Sequence, residues 1–587
     1  MRGSRPFDWI SRRLGTLMSL GALLLTAPPI HASAATDTPA SRRFVAVAFH
    51  DVADSLEGAP ADTVSTDRLV AFFDHLRGDG WTPLSLEDLR QIRQGRRSMP
   101  DKAILITFDD GYRSLYTHVF PLLMAYRIPV VASLVGRWLE PGPGSLVQFG
   151  DRLVPREHFI DWQQARRMQA SGLVEFASHT HDQHHLLRAN PQGNANPALS
   201  SLIYHPTDHR YESLGAYRER MRQDLARNDA LLLKELGRQP RAVAWPYGQY
   251  NTIAMEVAAE LGHEFALTLH PEPGDTSRPL ELGRQWVQGR ISVAELMGLL
   301  RFEDRPPASR RLRRLDPAAM KWHDAAAFNV QLGAWIETLR ADGITDVVIP
   351  AVHHDPDTRQ WTAWFPTRTL PLHADVLHRL ATQLNTRAGV RTLVEVSTER
   401  LAAAMPPEHL LQLHTDLGWQ VPMQGLLLTH IGTVHSATAP TPNVTPDVKP
   451  VVTAPRPAVR LPAWQLLRDR RQLPLQSLDG ATRLALQSFR AVAASRPELQ
   501  LFTLSTPGHT HPLAPWADLV LLAIPASLDQ VTAQVTRLRA ASAERDSRRT
   551  GAWLVSPQPL DEQALAPLRR ALQVQGIGAV GSGPVEF

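Results

Sequence analysis

"AILITFDDGYRSLY", residues 103–116, sets an apolar run, Ala103–Phe108, directly before two adjacent carboxylates, Asp109 and Asp110. A continuous apolar run this short reads as a strand buried on both faces. Like charges side by side at its end cost energy. Either the strand simply stops at a polar turn, or the pair holds a metal ion and moves a proton. The neighbouring strands decide between these. "FVAVAF" (44–49) is followed by His50. "LVEFA" (173–177) is followed by "SHTHDQHH", which carries His179, His181, His184 and His185. "AVAW" (242–245) is followed by "PYGQYN". Chemically able residues stand at the carboxyl ends of several strands, the face that carries the active site in a β/α barrel.

Helical patterns separate these runs. Leu69, Phe72, Phe73 and Leu76 recur at helical spacing, and Ser85 with Asp88 forms a capping-box pattern. Further helices are expected near 114–126, 161–170, 214–236 and 251–261, with strands at 130–135 and 264–269. Alternation of this kind predicts a parallel sheet or β/α barrel over residues 43–300. Residues 301–315, including "FEDRPPASRRLRR", read as a polar, basic linker. A second β/α pattern is expected over 316–587, with a helix at 326–342, strands at 345–352 and 391–397, and a helix near 374–387. Later strands are expected at 517–524 and 551–557. A Pro-, Thr- and Ala-rich insertion at 436–462 cannot bury a core.

The chain has 587 residues, too many for one ordinary core. It has no cysteine, which excludes disulfides, thiolate metal sites and a cysteine nucleophile. The first 34 residues pair an Arg-rich start with a short apolar run and the A-x-A site of "HASAA". They are expected to be a secretory signal cleaved after Ala34, the alternative being a membrane anchor. Residues 35–42 would be a flexible start. No cysteine is present to carry a lipid anchor. Net charge is +4; residues 1–34 hold four Arg and one Asp, so +3 of it leaves with the signal. The remainder is nearly neutral, and no basic, aromatic-interleaved stretch points to nucleic acid.

A catalytic metal site takes three protein ligands and keeps a position open. One carboxylate and two histidines suffice, and such ligands suit Zn, Co or Ni better than Ca or Mg. The second carboxylate could then act as general base and His50 as general acid. The histidine cluster holds more ligands than needed, so spacing leaves the pair open.

"TFDDGY", "SHTHDQHH" and "WPYGQYN" resemble the polysaccharide deacetylases of carbohydrate esterase family four. The early "FHDV" (49–52), "NPQGN" (190–194) and the run "FPTRTLPLHADVLHRLATQLNTRAGV" narrow the resemblance to circularly permuted members. Those act on poly-β-1,6-N-acetyl-D-glucosamine during exopolysaccharide export. The resemblance implies a distorted (β/α) barrel followed by a second, glycoside-hydrolase-like β/α barrel that binds polymer. It implies metal-dependent amide hydrolysis in the periplasm, beside an outer-membrane export porin. It implies Asp110, His179 and His184 as metal ligands, Asp109 as base and His50 as acid. The Tyr112 amide would serve the oxyanion, and Trp245, Pro246 and Tyr247 would line the sugar groove. Peptidoglycan or chitin oligomers are the alternative substrates, and a non-catalytic polysaccharide-binding scaffold is the alternative role.

Two departures matter. The family's RxPY motif carries an Arg that orients the base, but "AWPYG" has none, and no Asp is evident to orient His50. A poorly supported acid/base pair would make a slow enzyme. In the second domain, "GLLLTHIGTVH" (425–435) lacks the acidic residues that glycoside cleavage requires. Polymer binding without cleavage is expected there, with Asp355, Trp361 and Trp364 as candidate contacts; Asp357 also remains in that loop.

Overall fold

A computed structural model describes residues 43–150, 152–301, 309–429 and 474–505, together with 513, 517–527, 550–555, 562–574, 577 and 579–582. The signal expected over residues 1–34, the start expected over 35–42 and the 436–462 insertion lie outside these residues.

The first sheet orders Phe265–Leu267, Ala242–Ala244, Val174–Ser178, Val130–Leu134, Ala103–Phe108 and Arg43–Phe49 side by side, all parallel. Gln285–Trp286 pairs parallel with the free edge of Arg43–Phe49, while Leu282 bridges to Leu267 at the opposite edge. One short segment thus touches both edges and curls the sheet into a distorted barrel. Its interior mixes small residues, Ala46, Ala177, Ala242 and Ala244 among them, with Phe44, Leu105, Phe265 and Leu267. The outer face packs Leu69, Phe72, Phe73 and Leu76 of the helix Thr66–Gly78.

Helix starts follow their caps. Ser85, Asp161 and Ser292 each close a capping box. Ser213 caps the 23-residue helix Leu214–Leu236, which ends on Gly237 in the left-handed region at φ 71°.

The second sheet is a closed barrel of parallel strands: Arg310–Arg314, Asp346–Pro350, Arg391–Ser397, Gly425–Thr429, Gln500–Ser505, Leu519–Pro525, Thr550–Val555 and Ala579–Ser582. Leu312, Val348, Leu393, Leu427, Phe502, Leu521 and Trp553 fill its middle. Part of the expected linker is therefore this barrel's first strand. Leu312 is buried, and the flanking arginines reach carboxylates on other strands: Arg310 lies 3.7 Å from Asp346 on the adjacent strand, and Arg314 lies 2.9 Å from Glu395 on the strand beyond it. The segment looks like a linker because the ends of a barrel interior are polar while only its middle layer is apolar.

The two barrels touch. Tyr217 meets Trp419 edge-on at 5.1 Å, Tyr211 donates to Asp375 at 2.7 Å, and Asn196 lies 3.0 Å from His378.

Candidate active site

Side chains along a strand alternate between faces. Ala46, Ala48 and His50 share a parity, as do Leu105, Thr107 and Asp109, Val131 and Ser133, and Ala177 and His179. The inward parity brings the polar members of each set together at the carboxyl end of the barrel. Strict alternation would turn Asp110 outward. Instead Asp110 has φ 75° and Gly111 φ 69°, so the chain turns sharply and the second carboxylate also reaches the centre. A Cβ at Gly111 would stand 2.7 Å from Leu134 Cδ2. Thr180 (φ 67°) and Tyr247 (φ 58°) share this uncommon backbone, and both lie in loops at the site. For a β-branched residue such as Thr180 it is a true outlier.

Asp110, His179 and His184 converge. Both imidazole Nε2 atoms stand 3.3 Å from Asp110 Oδ1, and that oxygen is buried without a hydrogen-bond partner. His179 Nδ1 lies 2.8 Å from the Ala244 carbonyl, which assigns the proton to Nδ1 and leaves the Nε2 lone pair facing inward. His184 is wedged among Trp138, Phe149 and Tyr247, with ring centroids at 4.9, 6.4 and 4.4 Å. Three donor atoms within 4.8 Å of one another, one of them an unpartnered buried carboxylate oxygen, form a possible metal site. Burial opposes ionisation of Asp110, but His184 and His179 outweigh it and hold its carboxyl well below the usual range. Burial likewise resists protonation of His179, and Asp110 and Asp109 reverse that, raising its affinity for a proton.

The remaining histidines of the cluster turn away. His181 Nε2 lies 3.1 Å from Glu140, and the His181 backbone N–H donates to Asp224 of the helix Leu214–Leu236. Asp224 also accepts from the Asp182 N–H and from Gln183, so this helix fixes the loop between the two ligand histidines. His185 is partly exposed, 4.0 Å from Asp182.

Asp109 is gripped from a place the sequence did not mark. Arg284, fully buried, donates from Nη1 to Asp109 Oδ1 at 2.9 Å and from Nη2 to Oδ2 at 2.8 Å. It also donates to Thr107 Oγ1 and to the Thr268 carbonyl. Ser133 donates to Asp109 Oδ1 at 2.7 Å. Oδ1 therefore has two donors and Oδ2 one, so Oδ2 keeps a lone pair free. Burial raises the proton affinity of Asp109, but the Arg284 guanidinium and then His179 prevail and keep it ionised. The expectation of an unsupported base is thus corrected: the Arg missing from "AWPYG" is supplied by Arg284. The available signal was a lone Arg in "LGRQW", just before the two-residue strand Gln285–Trp286, which is too short to show periodicity.

No carboxylate hydrogen-bonds His50 among the described residues, and its Nδ1 is buried without a partner. Asp51, next in sequence, accepts instead from Ser114 at 2.6 Å. Tyr112 is buried, edge-on to Phe149, with its backbone bridged to Phe159. Trp245 and Pro246 do not line a groove as expected: both are buried, and Trp245 packs in a core with Tyr250 and Tyr217. Tyr247 alone of the three is exposed, over His184.

In the second barrel, Trp364 is fully buried between Trp322 and His373, so it cannot stack on a sugar. Asp355 Oδ1 caps a turn by accepting from the Asp357 and Thr358 N–H groups. Trp361 is partly exposed, beside His354 and beneath Arg400.

Residues 96–266 match the family model for polysaccharide deacetylase. That match takes in Asp109, Asp110, His179 and His184 but neither His50 nor Arg284. The chain is 35% identical over 350 residues to the poly-beta-1,6-N-acetyl-D-glucosamine N-deacetylase of Escherichia coli (strain K12), covering 59% of this chain and 52% of that protein. It thus spans about half the length of the curated relatives it matches. The solved BpsB deacetylase domain from Bordetella bronchiseptica is 38% identical and is covered to 96%, over 42% of this chain, with a TM-score of 0.39. The PgaB (BpsB) glycoside hydrolase domain from the same organism is 18% identical and covered to 94%, over 47% of this chain, with a TM-score of 0.35.

Proposed function

We propose that this chain, whose first barrel is a polysaccharide deacetylase domain, removes N-acetyl groups from poly-β-1,6-N-acetyl-D-glucosamine. The observation that carries this is the pairing of the Asp110–His179–His184 donor set with an adjacent carboxylate, Asp109, kept ionised by Arg284. The 35% identity to an N-deacetylase of that polymer favours the substrate. The donor set suits Zn, Co or Ni. Bound there, the ion would polarise the acetamide carbonyl and acidify the attacking water.

The protein's own groups do the rest. Asp109 Oδ2, with its free lone pair, takes the proton of the attacking water. Oδ1 stays tied to Ser133 and Arg284, so the carboxylate does not rotate as it accepts. The Tyr112 N–H donates to the oxygen on which negative charge develops. His50 protonates the departing nitrogen. The C–N bond breaks, acetate leaves, and glucosamine remains in the polymer.

The second barrel holds polymer without cleaving it. Its strand-end Glu395 is bound to Arg314, and partly exposed Trp322, Trp361 and His353 stand near the mouth. The chain acts in the periplasm, reached through the cleaved leader, and passes product to an outer-membrane porin.

The test is free-amine release from β-1,6- and β-1,4-linked N-acetylglucosamine oligomers, with and without chelator and with Asp109→Asn. Chelator-sensitive release favouring the β-1,6 series, abolished by Asp109→Asn, is expected. Absence of chelator-sensitive release from every oligomer would refute the reading.

A further inference from the structure

His184, the second imidazole of the donor set, stands at the base of a hairpin. Past His185 the chain runs out as Leu186–Arg188 and returns antiparallel as Ala195–Pro197. Asn190 closes the turn between them. Its side chain accepts from the Asn194 N–H and donates to Asn194 Oδ1, both at 2.8 Å. The Ala198 N–H then donates to the His185 carbonyl at 2.9 Å, so the returning strand is tied to the residue beside the ligand. Arg220, on the helix Leu214–Leu236, makes a second tie. It donates to Gln183 Oε1 at 2.7 Å and to the Ala198 carbonyl at 3.0 Å. A displacement of the hairpin is thereby passed to both neighbours of His184.

Two strands this short do not hold their shape alone. Of the hairpin's strand residues only Asn196 is buried, and its partner is on the second barrel. Asn196 Nδ2 lies 3.0 Å from His378 Nε2, while His378 Nδ1 lies 2.8 Å from the Gln420 carbonyl. The imidazole proton is therefore on Nδ1, and Nε2 accepts from Asn196. Burial, opposed by the Gln420 carbonyl and aided by Arg496, pushes His378 down to about 4, so the ring stays a neutral acceptor. At the exposed tip, Gln192 donates to the Asp375 carbonyl at 2.7 Å. A buried amide and a buried imidazole cost free energy unless they are matched. A matched polar pair holds the hairpin in one position, where apolar side chains would adhere without fixing it.

Resting on the deacetylase reading above for its metal, we infer that His378 and the Asp375 carbonyl of the second barrel, through Asn196 and Gln192, position His184 to bind the ion. The second barrel braces the ligand loop of the first without touching the site. His378 and Asn196 are positioning residues and take no part in the chemistry.

Calorimetric titration of zinc into the metal-free full chain, with hydrogen exchange over residues 182–188, tests this. His378→Leu should weaken zinc binding about tenfold, the scale of losing a group that orients a ligand, and should speed exchange over 182–188. Gln192→Ala, at an exposed tip on which no core depends, should do the same by about threefold. His378→Gln, which keeps an acceptor for Asn196, should bind zinc as the wild type does. A brace acts on the loop and leaves the chemistry alone, so at saturating zinc His378→Leu should recover most of its kcat. Unchanged zinc affinity and unchanged exchange in both His378→Leu and Gln192→Ala would overturn the inference. So would a loss in His378→Leu that His378→Gln fails to restore. A wild-type chain that takes up no zinc sinks the deacetylase reading instead, and the exchange arm still decides the brace.

Discussion

Replacing Arg284 with Met separates support of the base from every other feature of the site. Arg284 and Asp109 form a fully buried, bidentate pair, and Met retains the volume of the stem while removing the charge and the fork. Breaking such a pair from one side costs about 3–5 kcal/mol, because the remaining charge is stranded. The proton equilibrium of Asp109 points the same way. Asp109 is now held well below the usual carboxylate range, with burial working against Arg284. Without the guanidinium, burial dominates and raises the proton affinity of the Asp109 carboxyl, which adds to the cost at neutral pH. The sign matters. A depressed carboxyl contributes stability above its unfolded value and loses it only as pH falls through the folded value. Wild-type stability should therefore be insensitive to Asp109 between pH 5 and 8. Arg284→Met should instead be destabilised most at pH 8 and least at pH 5. Its kcat/KM should fall as pH is lowered from 8.5 to 5.5, an acid limb the wild type lacks in that range. Urea denaturation at pH 5 and pH 8, with metal-saturated amine-release profiles from pH 5.5 to 8.5, measures both. A loss under 1 kcal/mol together with a wild-type pH profile would show that Arg284 does not govern the base.

Further outcomes follow from single contacts. His184→Gln should weaken binding of Zn by about a hundredfold in calorimetry, whereas His181→Gln, which loses only its contact with Glu140, should leave it within about threefold. At the contact between the barrels, burial pushes the Asp375 carboxyl up to about 6, with Tyr211 as its hydroxyl donor. The folded state then binds this proton more tightly than the unfolded chain, so the group weakens the fold above pH 6 and ceases to do so below pH 4. Asp375→Asn should raise stability at pH 8 by up to about 3 kcal/mol, with no gain at pH 4, in denaturant titrations. Trp419→Ala should remove about 3–5 kcal/mol of packing against Tyr217, read as faster proteolytic cutting between the barrels.

The first barrel was legible because its strands are short, mostly apolar runs followed by polar residues. That pattern needs only burial on both faces. The helix Leu214–Leu236 coincides with its expected span because Ser213 and Gly237 mark its ends. The second barrel was less legible, since the ends of its strands carry ions. Arg310, Asp346 and Arg391 form one such layer, and "RRLRR" reads as solvent-exposed unless its partners on other strands are known. The helix Pro407–Gln420, with Leu410, Leu413 and Leu417 on its buried face, was readable from periodicity and was not anticipated. The aromatics Trp245 and Trp364 show the opposite failure. Position near a strand end suggested ligand contact, but their neighbours bury them completely, and burial is a property of the tertiary fold.

The adjacent carboxylates pose the sharper problem of geometry. A strand alone would send Asp109 inward and Asp110 outward, so the sequence pair does not by itself make a site. The left-handed turn at Asp110 brings the second carboxylate back, and it is tolerable because Gly111 follows and leaves room beside Leu134. Each carboxylate then meets its own positive partner. Asp109 takes the fixed charge of Arg284. Asp110 takes the imidazoles of His179 and His184, and its Oδ1, buried and unpartnered, stays available to a cation. Two like charges so close would share a proton if they shared an environment. Separate partners let both remain ionised, one to bind and the other to accept a proton. The partner that secures this division, Arg284, enters from the segment that bridges both edges of the sheet. Curling the sheet toward closure and supporting the base are thus accomplished by the same stretch of chain.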